Sequence, residues 1–195
     1  MGVGKTTILN NFISDGSTAP AKATVGSDFK QKEVQVGNTA VTLQIWDTAG
    51  QEQFNSLGFA FYRGANVCLL AYDVANKASF EALGKWKKNF LEHASPADPE
   101  KFPFIVVANK TDLAERVIDT ATGDAWARDN GGLAYAETSA KEGTGVVAAF
   151  TKMAELSQAS LATQDTYQMP TSLSGAAGAI KLDPKEDARR TETAK

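Results

Sequence analysis

Ile8, Leu9, Phe12 and Ile13 fall on one stripe of TTILNNFIS, a spacing that predicts a short amphipathic helix. The pattern then changes period. In KEVQV, Val34 and Val36 alternate with polar neighbours, as do Val41, Leu43 and Ile45 in AVTLQIW. With Gly37-Asn38 between them, the two runs predict a β-hairpin. VCLLAYDV and FPFIVVANK are nearly continuous apolar runs, the mark of strands covered on both faces. Between these two runs, SFEALGKWKKNFLEHA predicts a helix turning Phe80, Leu83, Trp86 or Lys87, and Phe90–Leu91 to the sheet. TATGDAWARDNGG reads as a helix stopped by paired glycines, LAYAETSA as a short strand with its exit loop, and GTGVVAAFTKMAELSQAS as the closing helix. GSTAPAKATVGSD, DTAGQEQFNSLG and SPADPEK read as loops. Strand alternating with helix predicts an α/β domain, with a mostly parallel sheet, one antiparallel edge strand and helices on both faces. After about residue 160 the composition turns to Thr, Ser, Gly and Ala with scattered charge. This divides the chain into a domain over 1–160 and a flexible tail over 161–195.

Bulk properties narrow the chemistry. The 195 residues carry 20 basic and 23 acidic side chains, a formal charge of -3, so no broad basic field favours nucleic acid. Anion binding must be local and geometric. The single cysteine, Cys68, lies in an apolar run and reads as a buried thiol, which excludes a disulfide framework or a cysteine metal cluster. Apolar runs stop well short of the roughly 20 residues that span a bilayer. The N-terminus turns polar within a few residues, unlike a signal peptide.

Chemistry concentrates at the strand ends. MGVGKTT contains the second half of a phosphate-binding loop, with Gly2, Val3 and Gly4 before Lys5, Thr6 and Thr7. Backbone N–H groups of such a loop can face phosphate oxygens. The lysine ammonium neutralises β- and γ-phosphates, and the Thr6 hydroxyl suits Mg²⁺. Asp47 ends a predicted strand and can hold a metal-bound water. In the loop that follows, Gly50 offers a backbone donor for a terminal phosphate and Gln51 can orient an attacking water. In NKTD, the Asp112 carboxylate can accept both N1–H and the exocyclic amine of guanine, a donor pair that adenine lacks. The stem of Lys110 can lie along the base while Asn109 ties the loop together. In ETSAK, the Ala140 N–H could approach guanine O6, beside Ser139, with Lys141 covering the other side of the base.

These segments resemble a small Ras-type GTPase of the Rab group, from Gly2 to about Ser160. WDTAGQE, NKTD and ETSAK are similar to that family's nucleotide motifs. KATVGSDF resembles its first switch, which makes Thr24 the expected magnesium- and γ-phosphate-sensing residue. ATVGSDFKQKEV, FNSLGFAFYRGA and HASPADPEKFPFIVVANKTDL resemble the branch working at late endosomes and lysosomes or vacuoles. The resemblance implies a P-loop G domain that binds GTP or GDP with Mg²⁺, hydrolyses GTP slowly alone, and regulates vesicle traffic. Catalytic roles fall to Gln51, Lys5 and Gly50, and magnesium to Thr6, Thr24 and Asp47. An aromatic triad of Phe29, Trp46 and Phe61 would meet effectors. Partners implied are a GTPase-activating protein, an exchange factor, GTP-dependent effectors and an escort protein docking near Ile180 and Leu182. The alternative is an interaction protein that binds partners without nucleotide cycling.

Three departures carry expectations of their own. The family's first strand and the opening of its phosphate loop are missing from the sequence, so two neighbouring strands should keep unpaired backbone. Ala21 stands where the family has an aromatic residue near the nucleotide. The terminus reads ARRTETAK rather than prenylated cysteines, so the chain as written has no intrinsic membrane anchor. It is therefore expected in the cytoplasm, although the family works on the cytoplasmic face of late endosomal, lysosomal or vacuolar membranes.

Overall fold

The computed structural model describes residues 2–16, 27–48 and 62–165. Thr24, Gly50, Gln51 and Phe61, the tail with Ile180 and Leu182, and the Ala21 substitution lie outside the described residues. The elements in chain order are α1 (Lys5–Ile13), β1 (Ser27–Val36), β2 (Thr39–Thr48), β3 (Cys68–Asp73), α2 (Lys77–Glu81), α3 (Leu83–Ala94), β4 (Phe104–Asn109), α4 (Thr120–Asp129), β5 (Ala134–Thr138) and α5 (Val146–Asp165).

β1 and β2 form the antiparallel hairpin that the alternating pattern predicts, with Gly37 turning at φ 57°. β3, β4 and β5 form a parallel sheet in that order. β4 is buried along its whole length, as its unbroken apolar run requires. β2 and β3 do not pair with each other among the described residues, and a cavity of about 970 Å³ lies between them. Val41, Leu43 and Ile45 line it from one side, and Leu69 and Ala71 from the other.

Two apolar clusters pack the domain. On one side Ile8, Leu9 and Phe12 of α1 meet Phe150 and Met153 of α5, with the Phe12 and Phe150 rings stacked 3.9 Å apart. On the other, Leu83 and Phe90 of α3 and Ala127 of α4 pack on Leu70, Tyr72 and Phe104. The long helix expected over Ser79–Ala94 is divided. Ala82, at ψ -11°, separates α2 from α3, while Leu83 is still fully buried as predicted. Cys68 sits at the rim of the large cavity, and burial of its sulfur pushes the thiol up to about 12. α5 carries the chain to Asp165.

Candidate functional site

The start of α1 depends on backbone freedom at one residue. Gly4 precedes the helix at φ 93°, a left-handed conformation, and accepts the first helical bond from Ile8 N–H at 2.8 Å. A side chain there would also run into Asn109 Nδ2. This turn places Lys5 and Thr6 at the helix N-terminus, where backbone N–H groups and the helix dipole favour an anion.

Thr6 Oγ1 donates to Asp47 Oδ2 at 2.5 Å, so the first turn of α1 meets the carboxyl end of β2. Asp47 is buried. The pair offers two hard oxygen donors, the chemistry Mg²⁺ prefers when phosphate oxygens and waters complete its octahedron. Thus the residues present fit a phosphate-bound magnesium. Burial holds the Lys5 ammonium below its usual range, and the Asp47 charge opposes that. An anion beside Lys5 would favour its charged form further.

Asn109, 1% exposed at the end of β4, knots three segments together. Its Nδ2 donates to Val3 O at 2.8 Å, and its Oδ1 accepts from Thr138 Oγ1 at 3.0 Å and from Ala140 N–H at 3.1 Å. The tie expected of Asn109 is therefore present, and Thr138 is a partner the sequence reading did not assign. Ala140 N–H reaches a base only by sharing or exchanging its bond to Asn109.

Lys110 follows at φ 69°, in the left-handed region that a side chain rarely occupies. Its ammonium lies 2.6 Å from Asp73 Oδ2 at the end of β3. Asp73 too was not picked out by sequence reasoning; its signal was a carboxylate ending the apolar run VCLLAYDV, the same signal that marked Asp47. Asp112 accepts a hydrogen bond from Ser139 Oγ at 2.7 Å, and Lys141 Nζ lies 3.7 Å from its other oxygen. The Ser139 hydroxyl is the main influence holding the Asp112 carboxyl below its usual range. The ETSAK loop is closed by Ser139 N–H donating to Thr144 O at 2.9 Å, and Gly145 follows at φ 72°, where a side chain would strike Glu137 O.

A cavity of about 260 Å³ lies where these segments converge. Gly4 and Thr7 line it together with Asn109, Lys110, Asp112, Leu113, Ala140 and Lys141. Three motifs separated by about a hundred and by thirty residues thus face one space of the size a nucleobase needs. Neither Thr6 nor Asp47 lines this cavity; Lys5 and Asp47 both line the larger one. Gly2 lies at φ 73° at the start of this loop. Phe29 and Trp46 face each other across the hairpin, ring centroids 4.9 Å apart, and are 42% and 44% exposed. No helix among the described residues is long and apolar enough to cross a membrane.

Comparison with known proteins shows the family. Residues 1–159 match the Ras family model. The chain is 53% identical over 152 residues to the Ras-related protein RABG3d of Arabidopsis thaliana, covering 76% of this chain and 74% of the relative. It is 52% identical over 151 residues to the Ypt/Rab-type GTPase avaA of Emericella nidulans, with the same two coverages. To the Ras-related protein Rab-7b of Paramecium octaurelia it is 42% identical over 190 residues, 97% of this chain and 90% of the relative. The chain belongs to the Ras family, as a Rab-type GTPase on the branch of the Rab7, RABG3 and Ypt7 proteins.

Proposed function

We propose that this chain is a guanine-nucleotide switch that binds GTP and GDP, hydrolyses GTP, and regulates vesicle traffic toward the late endosome, lysosome or vacuole. The observation that carries the reading is the cavity of about 260 Å³ lined by the glycine loop, the Asn109–Leu113 loop and Ala140–Lys141, with Asn109 bonded to the other two segments. Asp112 selects guanine through N1–H and the exocyclic amine. Lys110 and Lys141 flank the base with their stems, and the backbone from Gly2 to Thr7 receives the phosphates with Lys5.

Thr6 and Asp47, with Thr24, would hold Mg²⁺, which would supply positive charge to neutralise the phosphates. Gly50 contacts the terminal phosphate, and Gln51 orients the attacking water. Lys5 neutralises charge that builds on the transferred phosphate. Hydrolysis is slow without an activating protein that adds positive charge to the transition state. Exposed Phe29 and Trp46 offer the surface that GTP-dependent effectors read, and Phe61 takes the third aromatic role that the sequence assigns; an exchange factor completes the cycle.

The decisive experiment is competition binding with purified protein, using fluorescent GDP against GTP and ATP in the presence of magnesium. Preference for GTP over ATP by orders of magnitude is expected, and equal displacement by both would refute the guanine assignment. Gln51→Leu should abolish activator-stimulated turnover while leaving GTP affinity nearly unchanged. Equal effector capture by the GTP- and GDP-loaded forms would instead favour an interaction protein without a nucleotide cycle.

A further inference from the structure

Glu137, the residue of β5 just before Thr138, gathers donors from three elements outside the base cavity. Its Oε1 accepts from Arg116 Nη2 at 2.6 Å, Thr120 Oγ1 at 2.7 Å and Tyr135 OH at 3.0 Å; Oε2 accepts from Arg116 Nη1 at 3.4 Å. Tyr135 OH in turn shares a hydrogen bond with Tyr72 OH of β3 at 3.3 Å. Both members of the Arg116–Glu137 pair are only about 30% exposed, at 28% and 30%. A bidentate, charge-assisted pair within a saturated network is stronger and more directional than an ordinary surface ion pair.

Its position in the chain is what matters. Arg116 lies four residues after Asp112, on the loop that forms one side of the base cavity. Glu137 lies three residues before Ala140, on the strand that delivers the other side. The opposite face of that strand end is held separately, by Thr138 donating to Asn109. The start of the Asp112 loop is fixed by Thr111 N–H donating to Thr138 O at 3.2 Å, and its end by Val117 N–H donating to Val74 O at 2.9 Å. Asp112 itself meets Ser139 and Lys141 just beyond β5, and Arg116 adds the second side-chain link from this loop, to the strand.

We infer that the Arg116–Glu137 pair is a positioning element that sets the separation between Asp112 and the Ala140–Lys141 side of the cavity, and so tunes guanine discrimination and retention. This rests on the guanine reading proposed above. Asp112 and the Ala140 amide must reach the two ends of one edge of the base together, O6 at one end and the exocyclic amine at the other, so a looser separation weakens the contact to the amine first. Neither Arg116 nor Glu137 touches the base; each acts through the residues it holds.

The test compares GDP with inosine diphosphate, which lacks that amine, on the 195-residue chain. Dissociation constants for both and the GDP release rate are measured for the wild type, Arg116→Ala, Glu137→Gln, Arg116→Lys and Arg128→Ala. The last breaks an exposed ion pair with Asp124, also 2.6 Å long, within α4 and remote from the cavity. Arg116→Ala and Glu137→Gln should each speed GDP release about tenfold, the scale of one lost charge-assisted hydrogen bond, and should lower the GDP-to-inosine diphosphate preference severalfold. Arg116→Lys should restore little, because an ammonium cannot reproduce the fork, and a chain carrying both Arg116→Ala and Glu137→Gln should be no worse than either single variant. Arg128→Ala should behave as wild type. A variant that is merely less stable loses both affinities in proportion, so an unchanged preference in Arg116→Ala overturns the inference while leaving the guanine reading intact. A wild-type chain that retains no GDP overturns both.

Discussion

The Lys110 ammonium sits 2.6 Å from the Asp73 carboxylate, joining the loop after β4 to the end of β3. Asp73 is well buried, and its other oxygen accepts the Ala75 N–H at 2.9 Å. The pair therefore anchors a residue whose backbone already occupies an unfavourable conformation. Asp73→Asn keeps the bond to Ala75 and removes the charge that holds Lys110. The expected result is a loss of about 1–2 kcal/mol in urea unfolding, with faster nucleotide release; a variant with wild-type release kinetics would show that Lys110 keeps its place without Asp73.

Asp112→Asn separates base recognition from folding, because the asparagine oxygen can still accept the Ser139 hydroxyl. Guanine affinity should fall by roughly 10²-fold, the scale of two charge-assisted bonds, and xanthosine nucleotides should become the better ligands. Isothermal titration with both nucleotide series measures this, and retained guanine preference would remove Asp112 from base recognition.

Gly4→Ala challenges the turn that starts α1. The added methyl group meets Asn109 Nδ2 and occupies a left-handed backbone at φ 93°. A destabilisation of about 1–3 kcal/mol is expected from strain and displacement of the Asn109 amide, read as a lower thermal midpoint. Gly2→Ala has open space around the new carbon and should cost less, through its positive φ alone.

The acid limb of stability follows from two carboxyls. The Ser139 hydroxyl is the main cause that holds Asp112 below its ordinary 3.8. Burial pushes Glu137 up, but hydrogen bonds from Arg116, Thr120 and Tyr135 outweigh it and hold the group below 4.5. Depressed folded values mean that their contribution is complete above those ordinary values and is lost as pH falls through the lower folded ones. Urea midpoints should thus stay level from neutral pH down to about 5 and decline beneath it. In Arg116→Ala the hydrogen bonds and charge of Arg116 no longer hold Glu137 down, so its share of the acid loss should shrink and the limb should become shallower, from a lower plateau at neutral pH. Superimposable acid limbs for the two proteins would contradict this account.

Much of this architecture was legible in the sequence because it rests on local periodicity. Of the stripe Ile8, Leu9, Phe12 and Ile13, the first three form the buried face of α1 and Ile13 is partly buried, and alternation about Gly37-Asn38 predicted both hairpin strands. NKTD and ETSAK were placed at strand ends because continuous apolar runs stop just before them. Contacts between side chains far apart in the chain leave no such trace. Asp73 meets Lys110 across 37 positions, and Arg116 meets Glu137 across 21. Either acid alone looked like any polar residue closing a strand. The division at Ala82 was equally hidden, since alanine is a good helix former and the apolar spacing runs straight through it.

The space between β2 and β3 has a consequence for how cooperatively the protein melts. Val41, Ile45, Leu69 and Ala71 lie on the inner sides of these strands, yet remain only partly buried. Those side chains are therefore already partly exposed in the folded domain, and unfolding exposes correspondingly less new apolar area. Both the denaturant m-value and the heat-capacity increment scale with that newly exposed area. The transition should be shallow for a domain of this length, with a flattened stability curve, even where its midpoint is ordinary.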